Sequence, residues 1–74
     1  GANAKDFEAR FALAAARAAR GEWVAAFDQL LEVVLRDRAD ARSKARDTLV
    51  EWFALCPDAK AVMSARRQLS MYLN

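Results

Sequence analysis

The sequence predicts an all-α fold: four antiparallel helices arranged as two helical hairpins. Three observations predict it. Two Gly and one Pro in 74 residues leave little material for the turns of a β-sandwich or barrel. Apolar residues recur at helical rather than alternating spacing. Breaks at Gly21, at Arg38-Ala39-Asp40 and at Pro57 divide the chain into four segments of near-equal length.

The first segment, residues 4–20, places Phe7, Phe11, Ala14 and Ala18 on one stripe, with Leu13 beside it. Asn3 or Asp6 can cap its start, and Asp6 and Glu8 suit the positive end of the helix dipole. Arg17 and Arg20 suit the negative end. The run Ala14-Ala15-Ala16 allows a neighbouring backbone to come close. Gly21 then stops the helix, because glycine alone takes the left-handed C′ conformation at little cost.

The second segment, residues 22–37, organises the rest. Trp23, Phe27, Leu30 and Val34 fall at i, i+4, i+7 and i+11 and line one face, which Ala26 and Val33 widen. Asp28, Gln29 and Glu32 lie away from the centre of that face and are expected in solvent. The tight turn at Gly21 makes this helix antiparallel to the first.

Asp40 is expected to cap a third helix over residues 41–55, with Ala45, Leu49, Trp52, Phe53 and Cys56 on its apolar face. Pro57 ends that helix, since the residue before proline is driven out of the α region. It also suits an early position of a fourth helix, residues 58–73, with Asp58 near the positive end. That helix carries Val62, Ala65, Leu69, Tyr72 and Leu73 on one side, to pack against the third helix. Met63 and Met71 sit towards its edges. The expected core is Trp23, Ala26, Phe27, Leu30, Leu49, Trp52, Phe53 and Leu69.

Composition bounds the function. A chain of 74 residues makes a single small domain, 1–74, with a modest core. Net charge is +2, which does not by itself call for nucleic acid. One cysteine forms no internal disulfide, which favours a reducing compartment or indifference to redox. No apolar run reaches the length of a membrane span, and no signal peptide opens the chain. Gly1-Ala2 reads as a cloning scar on an excised piece of a longer protein.

Site chemistry is missing. There is no His, no Gly-rich phosphate loop and no metal-ligand spacing, so no catalytic residue, cofactor or metal is expected and the chain reads as no enzyme. Cys56 reads as a small buried hydrophobe at a helix end, with a redox-sensitive thiol as the alternative. Arg36, Arg38, Arg42, Lys44 and Arg46 form a basic segment interleaved with Asp37, Asp40 and Asp47, which favours a solvated mixed surface. The alternative function, a small basic helical nucleic-acid-binding domain, would use that segment. A third reading is simple self-association.

Paired helices of equal length invite comparison with the tetratricopeptide repeat (TPR), whose pattern is W-x2-L-G-x2-Y, then A-x3-F, then P. Leu13 matches its Leu and Ala14 replaces its Gly with another small residue, Gly21-Glu22-Trp23 matches its inter-helix turn, and Ala26 and Leu30 match its A-x3-F pair, with Leu for Phe. Arg10, Arg17 and Arg38 depart from its Trp, Tyr and Pro. The two hairpins are therefore TPR-like. Over most of its length the chain also resembles the C-terminal repeat domain of bacterial thioredoxin-fold co-chaperones, the chaperedoxins. That likeness lies in Gly21-Glu22-Trp23, Ala26, Asp28 to Val34 and Arg36-Asp37-Arg38, then Ala45-Arg46, Leu49-Val50 and Phe53, and finally Ala65 to Ser70. The family's tail usually has a longer turn before the last helix than Cys56-Pro57-Asp58.

The resemblance implies a cytoplasmic holdase tail. It would bind unfolded clients and pass them to chaperonin or an Hsp70 system, beside its own thioredoxin-like domain in the full-length chain. An apolar edge on the last helix suggests docking of chaperonin or of that domain, with Met63, Arg66, Arg67, Met71 and Tyr72 as the partner-binding residues. The alternative for the two methionines is that they fill gaps in the core.

Overall fold

A computed structural model describes residues 4–37 and 40–73. They form four helices: α1 (Ala4–Ala19), α2 (Trp23–Arg36), α3 (Asp40–Leu55) and α4 (Ala59–Leu73). The fold class is the expected one. Of the expected features, the Asn3 or Asp6 cap, the break at Arg38-Ala39 and the Arg38 match lie outside the described residues and side chains.

α2 is the hub. Ala26, Phe27, Leu30, Leu31, Val33 and Val34 are all buried. At about 100° per residue they cover an arc of roughly 160°, wider than the stripe of an ordinary surface helix. One face of that width can serve three neighbours, and α2 packs against α1, α3 and α4. Leu31, which was not among the expected core residues, is the position that widens the arc.

The α1–α2 turn is a complete Schellman motif. Gly21 has φ +77°, its N–H donates to the Ala18 carbonyl, and the Glu22 N–H donates to the Arg17 carbonyl, both at 2.9 Å. Such a motif is usually closed by an apolar contact between its flanking side chains. Here an ion pair takes that place: Arg17 Nη1 lies 2.9 Å from Glu22 Oε1, and Arg20 Nε lies 3.5 Å from Glu22 Oε2. With its carboxylate turned back, Glu22 makes no side-chain cap on α2. Along α1, Ala14 is fully buried and Phe7, Phe11 and Ala18 are half-buried. Leu13, expected beside the stripe, is 40% exposed, because its position on the helical wheel is well away from Phe11 and Ala14.

The second connection differs from expectation in detail. Asp40 lies inside α3, and the capping carboxylate belongs to Asp37, whose Oδ2 accepts the Arg42 N–H at 3.1 Å. Pro57 lies outside α4, which begins at Ala59. Asp58 caps it, Oδ1 accepting the Ala61 N–H at 3.1 Å.

An aromatic cluster joins α2 to α3. Phe27 meets Phe53 edge-on at 5.2 Å between centroids, and Trp23 meets Trp52 the same way at 6.4 Å. Edge-to-face pairs of this kind add to simple area burial. Both tryptophans are half-buried rather than core, since each sits at a helix end. Phe27, Leu30, Leu49, Phe53, Leu69 and Ala26 are buried as expected.

α4 departs most from expectation. It comes close to α2 rather than α3, through Ala61 and Ala65, with Leu69 completing its buried row. Leu73, assigned to the packed side, is 40% exposed.

Candidate functional site

Four helices with a filled core leave binding, if any, to their outer faces, so each candidate is located by its place on a helix. On α4, Met63, Arg67 and Met71 follow at i, i+4 and i+8, and so make one strip about 12 Å long. Met63 is 62% and Met71 59% exposed, and Arg67 is exposed between them. The methionines therefore do not fill the core. Two thioethers around a guanidinium make a flexible, polarizable, cationic surface, suited to apolar partners of varied shape.

The other two residues of the expected set lie elsewhere. Arg66 flanks the strip, its guanidinium carbon 5.4 Å from the centre of the Phe53 ring, a cation–π geometry. Tyr72 is on the core-facing side: its ring is half-buried against the core and its carbonyl accepts Arg42 Nη2 at 2.9 Å. The five residues thus form a strip of three, one neighbour and one packing residue.

Between α3 and α4 lies an open cleft of ≈ 330 Å³. Val50, Phe53, Leu69 and Leu73 give it apolar walls, and Arg66 and Ser70 its polar edge. Spacing did not reveal it, because it exists only where two helices stand apart.

Arg38 of the basic segment lies outside the described residues, and its four described members do not gather. Arg36 pairs with Glu32 at 2.6 Å, Arg46 with Asp47 at 3.2 Å, and Arg42 holds the Tyr72 carbonyl. Lys44 projects away from Arg42 and Arg46, its Nζ 4.8 Å above the Phe11 ring. A nucleic-acid footprint needs cations on one face, and these side chains are turned to different neighbours. Cys56 is half-buried, and its sulfur accepts the Asp58 N–H at 3.4 Å. Among the described residues no group of three His, Cys, Asp or Glu side chains comes together as a metal-ligand set, and no helix is long and apolar enough to cross a membrane.

Two departures from the repeat pattern acquire a reason in this geometry. Arg10 and Arg17 stand where the pattern has aromatic residues, and both turn to the α1–α2 seam. Arg10 Nη1 donates to Gln29 Oε1 at 3.2 Å, which leaves Gln29 half-buried rather than in solvent. Arg17 holds Glu22 as described. Polar pairs thus replace stacked rings along one edge of the hairpin, while Ala14 and Ala26 keep the close crossing.

A family model described as tetratricopeptide repeat matches residues 1–74. The chain belongs to the tetratricopeptide repeat family. No curated protein and no solved structure gave a significant match. Membership in this family indicates a protein–protein interaction module.

Proposed function

We propose that this TPR domain is the helical tail of a thioredoxin-fold holdase, and that the outer face of α4 docks chaperonin. The observation that carries the reading is the exposed Met63–Arg67–Met71 strip on the last helix. The solvent side of an amphipathic helix is ordinarily polar, and two exposed methionines around an arginine are not that. The likeness of Gly21 to Arg38 and of Ala65 to Ser70 to the chaperedoxin tail supplies the parent. In this reading the chain performs no catalytic step, works in a bacterial cytoplasm and meets clients or an Hsp70 system as well as chaperonin.

The test is capture of chaperonin by the full-length parent carrying Met63→Ser and Met71→Ser. A folded double variant that no longer captures chaperonin supports the reading. Undiminished capture removes the strip from the docking surface. A thioredoxin-like domain encoded upstream of residue 1 would support the parentage independently.

A further inference from the structure

α1 and α3 flank a groove of ≈ 310 Å³ that shares no lining residue with the α4 strip. Its floor is apolar: Phe7 and Phe11, one turn apart on α1, face Ala41 on α3. Both rings are half-buried, so part of each aromatic face is open. Among the described residues its rim is acidic, on a protein of net positive charge: Glu8, Asp37 and Asp40 line it, with the ammonium of Lys44. Asp37 is held in place by capping α3. Glu8 and Asp40 are exposed, and among the described residues neither has an ion-pair partner.

An aromatic floor beneath carboxylates selects a particular chemistry. A cation on a long aliphatic stem can lay the stem along the rings and bring its charge to the rim. The groove already holds one such contact, with Lys44 Nζ over the Phe11 ring at 4.8 Å. Arginine suits the remaining space better than lysine, because its planar guanidinium stacks on rings and meets carboxylates in a fork. The four-residue step between Phe7 and Phe11 gives about 6 Å of floor, room for a side chain and not for a helix.

We propose that the α1–α3 groove receives an arginine side chain from a segment of a protein partner, with its stem on Phe7 and Phe11 and its guanidinium at Glu8 and Asp40. The proposal rests on the chain being an interaction module but uses a surface separate from the α4 strip, so either can fail without the other.

The test is an amide NMR titration of the 74-residue chain with a capped pentapeptide, Ala-Leu-Arg-Leu-Ala, and its Arg→Glu counterpart. The expected result is shifts centred on Phe7, Phe11 and Lys44 with the arginine peptide and none with the glutamate peptide. Glu8→Gln with Asp40→Asn should weaken binding about tenfold, the scale of a lost charge-assisted contact. Lys44→Met should strengthen it severalfold by removing the competing cation, whereas Met63→Ser with Met71→Ser should leave it unchanged. Shifts centred elsewhere, equal affinity in the carboxamide variant, or weaker binding by Lys44→Met would each overturn the proposal. A concentration-dependent mass abolished by Arg66→Ala with Arg67→Ala would instead make the occupant a second copy of this chain, and would overturn it too.

Discussion

The two helix pairs are built from similar lengths of chain and end up packed differently. In the α1–α2 pair the facing positions include Ala14 and Ala26, both fully buried, and the backbones lie close. In the α3–α4 pair the facing positions are Val50, Phe53, Leu69 and Leu73, bulky residues that hold the axes apart and leave a cleft. The alanines of α4 are Ala61 and Ala65, and they face the core, so α4 makes its close approach to α2. Which pairs of helices touch is decided by where the small residues point, since bulk at a crossing sets the interaxial distance. The turns follow the same division. A left-handed glycine folds α2 tightly back on α1. The link from α3 to α4 has no positive φ among its described residues and depends on the Asp58 cap.

The largest expected effect tests the hub. Phe27→Ala should destabilise the fold by about 3–5 kcal/mol, whereas Leu69→Ala, at the wall of the cleft, should cost about 2 kcal/mol. Urea denaturation of both variants checks this, and equal losses would erase the distinction between hub and edge. A loss below about 1 kcal/mol for Phe27→Ala would mean that the α2 face is not core.

Next is the turn. A Cβ on Gly21 meets nothing within 4 Å, so Gly21→Val should act through backbone strain alone, at about 1–2 kcal/mol. Gly21→Asn should recover much of that in a thermal melt, because asparagine tolerates the left-handed region. A neutral valine variant would contradict the C-cap.

The corresponding substitution in the second pair is Asp58→Ala. Loss of its bond to the Ala61 N–H should cost about 1 kcal/mol. Hydrogen exchange should show the loss as faster opening of the first turn of α4, with α1 and α2 unaffected.

The smallest effect concerns the ion pair that closes the first turn. The Arg17 hydrogen bond, aided by the charge of Arg20, lowers the Glu22 carboxyl below its ordinary value. A depressed folded-state pKa contributes stability above the unfolded value, and the contribution is lost as pH falls through the folded one. Stability measured from neutral pH into the acid range should therefore fall less steeply in Glu22→Gln than in the parent. Because the pair is exposed, the difference should be small and should shrink further in salt. Parallel acid limbs would mean that the pair does not hold the turn.

Much of this was legible in the sequence, and the parts that were not share a cause. Helix number, the left-handed Gly21 and the buried rows Ala26–Phe27–Leu30 and Ala45–Leu49–Phe53 follow from local stereochemistry and 3.6-residue spacing. Met63 and Met71 lie off the apolar stripe, but spacing alone left core filling open, because methionine bends into gaps; the structure exposes both. Tyr72 was misplaced with them: one residue beyond Met71 it lies about 100° round the helix, packed against the core. Capping went to Asp37 rather than Asp40, because a carboxylate outside a helix reaches an N–H that one inside it cannot. The α1–α3 groove and the α3–α4 cleft could not be read from any one helix.

By itself, then, the sequence determined what each segment is: its helical state, its ends and its apolar side, all set by interactions within a few residues along the chain. Only the tertiary structure decided which helices meet. That depends on the match of bulk and smallness across a crossing, between residues that no local rule relates. It made α2 the hub, turned α4 onto it through Ala61 and Ala65, and left Phe7 and Phe11 open beneath a rim of carboxylates.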